Sequence, residues 1–228
     1  MDISTVVRNI GRLISKYWRV FLLEGVVNTL LLTAIAVLFG AILGSVVTAM
    51  KCSRFRALRF LAGLHIEVLR GTPILLQLTI FYFVVPELLP FLNLSAFAWV
   101  AVALSLNSSA YVSEVFRSGL QSVDRGQSEA ARSLGMSRAQ TLTHIVLPQA
   151  VKTILPALGN EFVTILKETS LASTFFIGDL MTVYKKINGA TYLNLEPLLI
   201  VGALYLCLTY PLSRLVAWGE RRLARGAH

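Results

Sequence analysis

The chain has 228 residues, of which 55% are hydrophobic and only 14% charged, and its mean hydropathy is +0.68. A water-soluble domain carries about 25% charged residues, so this composition excludes a soluble globular enzyme and, more firmly, a disordered chain. The net charge of +9 lies between long apolar runs, which makes it a statement about membrane topology rather than about nucleic acid.

Residues 3–21 place Ile3, Val6, Val7, Ile10, Leu13, Ile14, Tyr17, Trp18 and Phe21 at helical spacing, with Arg8, Arg12, Lys16 and Arg19 on the other side. A basic amphipathic helix ending in Tyr and Trp predicts an interfacial element, residues 1–22, lying flat among lipid headgroups. The next apolar run is too long for the core of a signal peptide. Gly25 to Met50 carries no charge and predicts a first transmembrane helix, since the hydrocarbon core needs about 20 helical residues. Gly40, Gly44 and Thr48 form a small-residue face suited to close helix approach.

A basic loop follows, from Lys51 to Arg59. The uncharged stretch from Gly71 to Val85 is too short to span, because 15 residues rise only about 22 Å. The second helix is therefore expected to start near Leu61 and to end at Pro86 and Pro90. A third is expected over Ala96–Phe116, carrying Asn107, Ser108, Ser109 and Glu114. A fourth is expected over about Thr153–Phe176, with Asn160, Glu161, Lys167 and Glu168, and a fifth over Pro197–Ser213, before a basic tail at 218–228. The fold predicted is an all-α integral membrane domain of five spans over residues 23–217.

Positive residues mark the cytoplasmic side. Lys51, Arg54, Arg56, Arg59 and Arg70, the basic residues of 117–152, and Arg214, Arg221, Arg222 and Arg225 fall on one side. Lys167, Lys185, Lys186 and the four basic residues of the N-terminal helix fall on the other and are fewer. The expected topology has the N-terminus and the 180–194 loop outside and the C-terminus inside.

Residues 121–149 read QSVDRGQSEAARSLGMSRAQTLTHIVLPQ. Asp124 with Gln127 and Ser137 with Gln140 match capping boxes. They predict helices over Gln127–Leu134 and Arg138–Leu147, with Gly135 as a left-handed stop between them and Pro148 at the return to the membrane. Ala130 and Ala131 leave a shallow surface on which a protein could pack. From the residues alone, a plain surface hairpin fits as well.

Glu129-Ala130-Ala131, then Gly135, then Ile145-Val146-Leu147-Pro148 resembles the EAA motif of permease subunits of ABC importers. Arg70-Gly71-Thr72-Pro73, Arg125-Gly126-Gln127 and Lys167-Glu168-Thr169-Ser170-Leu171 resemble the polar amino acid branch of that family, which takes up histidine, arginine, glutamine, glutamate and similar substrates. The resemblance covers nearly all of the chain beyond the N-terminal helix and departs at Asp124, where many relatives carry proline. It implies a type I importer transmembrane domain in a bacterial inner membrane. Glu129, Ala130, Ala131, Gly135, Ile145, Leu147 and Pro148 would form the coupling loop, about 117–150, on which an ATPase docks. The implied partners are two ABC ATPase subunits, a second permease subunit (identical or a paralogue) and an extracytoplasmic amino-acid-binding protein, in addition to membrane lipid. No nucleic acid partner and no catalysis by this chain are implied. ATP and Mg would belong to the ATPase, in keeping with the absence of a GxxxxGK[ST] loop.

Ionisable groups inside a membrane default to functional or paired roles. Glu161, Thr164 and Glu168 share one helical face, with Asn160 and Lys167 beside them. They line either the translocation pathway or the dimer interface, or else form ion pairs that only hold the fold. Asn107 and Gln77 are further candidates, although lone polar residues in such helices also serve as interhelical hydrogen-bond glue. Cys52 and Cys207, and His65, His144 and His228, show no ligand spacing, so no metal site is expected. The competing class, a secondary transporter or channel acting alone, leaves the EAA segment without a role.

Overall fold

The computed structural model describes residues 2–225, and among them the secondary structure is helical throughout, without strands. Helix α1, Ile3–Lys51, joins the amphipathic segment to the first span without a break. A π-helical stretch, Val20–Val26, lies at the junction. The expected boundary at residue 22 therefore falls within one continuous helix rather than between two elements. Nor is the amphipathic face left wholly to lipid. Leu13 and Phe21 are buried, packed with Ile200 and Val201, and Asn9 donates to Glu196 Oε1 at 2.9 Å.

The second expected span is broken. Helix α2, Arg56–Gly71, and helix α3, Ile74–Leu88, meet at an angle of 104°. Pro73 lacks an N–H, and it pushes Thr72 into extended backbone, φ −115° and ψ 146°, as a residue before proline prefers. The carbonyls freed by the break are not left dry. Gln77 Nε2 donates to Leu69 O at 2.8 Å, to Thr72 O at 3.1 Å and to Thr72 Oγ1 at 2.9 Å, while its own Oε1 accepts from Asn107 Nδ2 at 3.0 Å. Gln77 and Asn107 are both buried. Replacing Gln77 by Leu strands these acceptors, at about 1–3 kcal/mol. The expected result is a lower unfolding temperature in detergent for both Gln77→Leu and Gln77→Glu than for the parent, since a carboxylate accepts but has no N–H to donate to the Leu69 and Thr72 oxygens; unchanged melting of both variants would contradict the stapling role.

Helix α4, Ala96–Gln121, opens on Ser95, whose side chain accepts from Ala98 N at 3.2 Å. It forms the largest interface of the fold with α1. The small-residue face of α1 lies in that interface. A Cβ built on Gly40 would stand 2.6 Å from Ser108 Oγ, and one on Gly44 would stand 3.0 Å from Ser109 O. Glycine at these places lets two backbones approach closely. The buried core beside them includes Leu32, Ala36, Val100, Leu104 and Ile165.

After helix α5, Arg125–Ser133, helix α6 (residues 138–168) runs from a short helical turn through a π stretch, Leu142–Val146, into Leu147–Glu168. The expected second soluble helix is thus continuous with the helix expected as the fourth span. Pro148 cannot continue the regular ladder, and the π stretch precedes it. A 3-10 segment, Thr169–Phe175, replaces the expected last turns. Helix α7, Leu180–Thr191, lies where a loop is expected. It buries Leu180, Val183 and Ile187 at helical spacing, and buried Asp179 caps it, accepting from Met181 N at 2.9 Å. Helix α8, Leu195–Arg225, is longer than expected at its end. The remainder of the expected tail, with His228, lies outside the described residues.

Helices α1, α4 and α8 are long and apolar enough to cross a membrane, and the bent α2–α3 pair counts as a fourth crossing if taken together. Helix α6 has the length for a fifth, its 22-residue stretch Leu147–Glu168 rising about 33 Å. Its polar residues decide where it can sit.

Candidate coupling segment and polar cleft

Helix α5 begins at Arg125, earlier than expected: the Asp124 side chain accepts from Gly126 N at 2.7 Å, while Gln127 N donates to the Asp124 carbonyl at 3.1 Å rather than to its side chain. The second start does form the predicted box: Ser137 Oγ accepts from Gln140 N at 3.3 Å and Ser137 N donates to Gln140 Oε1 at 2.8 Å. Between them α5 ends in a Schellman turn. Gly135 N donates to Arg132 O at 3.0 Å and Met136 N to Ala131 O at 3.2 Å. Gly135 has φ +88°, as the sequence requires of a C′ glycine.

The faces of this hairpin divide unequally. Glu129 and Ala130 are exposed, whereas Ala131 is buried, on the side that packs against the π stretch of α6. The pair therefore does not form one outward surface; Ala131 fixes α5 to α6 and Ala130 faces out. Ile145 is half-buried, and Leu147 and Pro148 are exposed. Leu134 is 85% exposed, one turn from Ala130 on the same face. Sequence reasoning passed over it, though an apolar residue directly before a C′ glycine was the available signal.

Along α6, Thr153, Asn160, Thr164 and Lys167 are exposed, and Ala157, Glu161 and Glu168 are half-buried. Spacings of three and four place them on one stripe. A polar stripe of this length cannot face hydrocarbon. It faces water or another protein surface. Glu161 Oε1 accepts from Ser108 Oγ at 3.0 Å, which ties the stripe to α4. Lys167 and Glu168 form no ion pair with each other among the described residues.

Beside Glu161 is a cleft of about 420 Å³ between α2, α4 and α6, lined by Arg70, Tyr111, Glu114, Arg117, Thr153 and Glu161 among others. The Arg70 guanidinium lies 5.4 Å from the centre of the Tyr111 ring, and Arg117 Nε donates to Glu114 Oε2 at 3.1 Å. The cleft thus presents charges of both signs beside an aromatic ring. Tyr111 and Arg117 were not singled out from the sequence. Tyr111, Glu114 and Ser118 continue the helical face of Asn107, and that spacing was the missed signal. Asn107 and Gln77 themselves lie at the α2–α3 break, in a structural staple.

The model of binding-protein-dependent transport system inner membrane components matches residues 36–225. The chain belongs to that family. It is 42% identical to the arginine transport system permease protein ArtQ of Bacillus subtilis over 203 residues, covering 89% of this chain and 92% of that one. It is 38% identical to a putative glutamine transport system permease protein GlnP of Rickettsia bellii, covering 89% and 93%. Among solved structures, an amino acid ABC transporter with histidines is similar at 42% identity, with a TM-score of 0.85 over 92% of this chain and 96% of that one. The inward-facing methionine transporter MetNI matches with a TM-score of 0.76 at 18% identity, over 89% and 96%, which speaks to fold alone. Membership in this family speaks against a transporter that works unaided.

Proposed function

We propose that the chain is the permease subunit of an ABC importer for a polar amino acid, coupled to its ATPase through α5 and the start of α6. The polar stripe of α6 carries this reading. It runs along the helix whose first part packs against α5, so a push on the hairpin is transmitted along the same helix that lines the proposed pathway. The amino acid class is supported by the relatives' names and by the cleft, whose arginines suit a carboxylate and whose glutamates suit an ammonium group. The pathway comprises Glu161 with Asn160, Thr164, Lys167 and Glu168, facing a second permease subunit across a central gap.

In this reading α6 is the fifth span, the α2–α3 pair is one broken span, and the transport domain occupies 23–217. Two ATPase subunits hold ATP and Mg and dock on Glu129, Ala130, Leu134 and the flanking turn. A binding protein delivers substrate from outside. ATP then favours one packing of the membrane helices over another, a shift of population between inward-open and outward-open forms. The basic residues of 51–59, 117–152 and 214–225 support a cytoplasmic side for those segments.

The topology is tested with single cysteines placed in a chain lacking Cys52 and Cys207. A membrane-impermeant maleimide applied to right-side-out vesicles should label residue 190 and spare residue 130, and inverted vesicles should give the opposite pattern. Labelling of both from one side would overturn the arrangement.

A further inference from the structure

The 3-10 segment that ends α6 leads into Phe176, which has φ 54° and ψ 43°. A bulky aromatic in left-handed backbone is a genuine outlier, and such strain persists only where the surroundings impose it. They do so here from both sides. Phe176 N donates to Ser173 O at 3.3 Å, and Lys185 Nζ donates to the same carbonyl at 2.9 Å. Two residues on, Gly178 O accepts from Asn28 Nδ2 at 3.2 Å, and Leu180 N donates to Thr29 Oγ1 at 3.1 Å. An ion pair between Lys186 and Glu24 fastens α7 to α1.

The ring held in this way contributes little to the core. Phe175 is buried and stacks on Tyr82 at 4.6 Å, whereas Phe176 is 64% exposed and is met by Lys185 Nζ 5.6 Å from its centroid. Glycine or asparagine would hold this backbone with less strain, so the fold alone gives no reason for an exposed aromatic ring. Its place gives one. The polar stripe of α6 ends at Lys167 and Glu168, exposed Thr174 follows, and Phe176 comes next, just past the end of α6 opposite the α5 hairpin.

We propose that Phe176 is the plug of the outer mouth, closing the pathway against the corresponding segment of the second permease subunit in the inward-open form, with Lys185 as its positioning residue. This rests on the importer reading and its topology. A rigid apolar ring at the neck of a polar channel excludes water and small polar solutes. Its backbone clamp to α1 lets a shift of that helix carry the plug aside.

The test uses the whole complex in proteoliposomes loaded with a mixture of the twenty amino acids, without ATP, and measures which of them appear outside. Phe176→Gly, which suits the backbone, should release the amino acid that the parent imports about ten times faster than the parent does. Phe176→Trp should stay sealed. A Phe176→Gly complex as tight as the parent would overturn the plug. The importer reading is judged separately, by ATP-driven uptake in the parent. Should Phe176→Gly fail to assemble, Phe176→Cys in a chain lacking Cys52 and Cys207 decides the matter. An external impermeant maleimide should react several-fold faster after trapping with ATP and vanadate than without nucleotide, and equal rates would overturn the proposal.

Discussion

Gly135→Val should cut binding-protein-dependent uptake about tenfold while leaving the permease at normal abundance in the membrane. Beyond its chain neighbours, no atom lies within 4 Å of a Cβ built at this position, so an added Cβ has room. The effect is confined to the backbone, where φ +88° costs a side-chain-bearing residue about 1–2 kcal/mol, more when it is β-branched. Helix α5 has only nine residues and holds its angle through the Schellman turn at Gly135. Relaxing that turn re-aims Ala130 and Leu134, and each 1.4 kcal/mol lost in docking is a factor of ten. ATP hydrolysis stimulated by the binding protein should fall in step with uptake. Gly135→Asn should largely preserve both, because asparagine tolerates left-handed backbone. Valine complexes that hydrolyse and transport like the parent would remove this hairpin from the coupling route.

Glu161→Gln should reduce uptake by roughly ten- to a hundredfold, or change which amino acid is carried, without loss of assembly. Glutamine keeps an acceptor for the Ser108 hydroxyl, which lies 3.0 Å from Glu161 Oε1, so the contact between α4 and α6 survives. What it removes is the ionisable carboxyl beside the cleft. A hydrogen bond to a charged partner is worth about 1.5–3 kcal/mol. Loss of the complex from the membrane, instead of loss of transport, would make Glu161 a structural residue. Measuring substrate-stimulated ATP hydrolysis together with the size of the purified complex separates the two outcomes.

What the sequence disclosed depended on whether a local rule governed the residue. Gly135 was legible because only a C′ turn explains a glycine between two capped helices, and the Ser137–Gln140 box was legible for the same reason. The Gly40–Gly44 face was legible because small residues four apart leave room for a neighbour; α4 is that neighbour. The break at Pro73 was not read, although the proline stood in plain view. Hydropathy asks for about 20 residues per crossing and ignores the angle between them, so a span bent by 104° passes as straight. Helix α7 was missed because Lys185, Lys186 and Asn188 interrupt its apolar pattern, and its burial of Leu180, Val183 and Ile187 arises from tertiary packing. The cleft was only half visible. Glu114 and Glu161 stand out as charges within apolar runs, but their meeting with Arg70 and Tyr111 depends on how α2 and α4 are set against each other.

The most direct measurement is vectorial transport by the purified system. Proteoliposomes would hold this chain with its partner permease and ATPase, ATP would be trapped inside, and binding protein with the amino acid mixture would be supplied on the other face. Complexes oriented with their ATPase facing the trapped ATP should then accumulate one polar amino acid against its gradient. Accumulation should require both ATP and the binding protein and should be about tenfold slower with Gly135→Val. Accumulation that a proton or sodium gradient drives without ATP, or that Gly135→Val leaves intact, would contradict an importer coupled through α5.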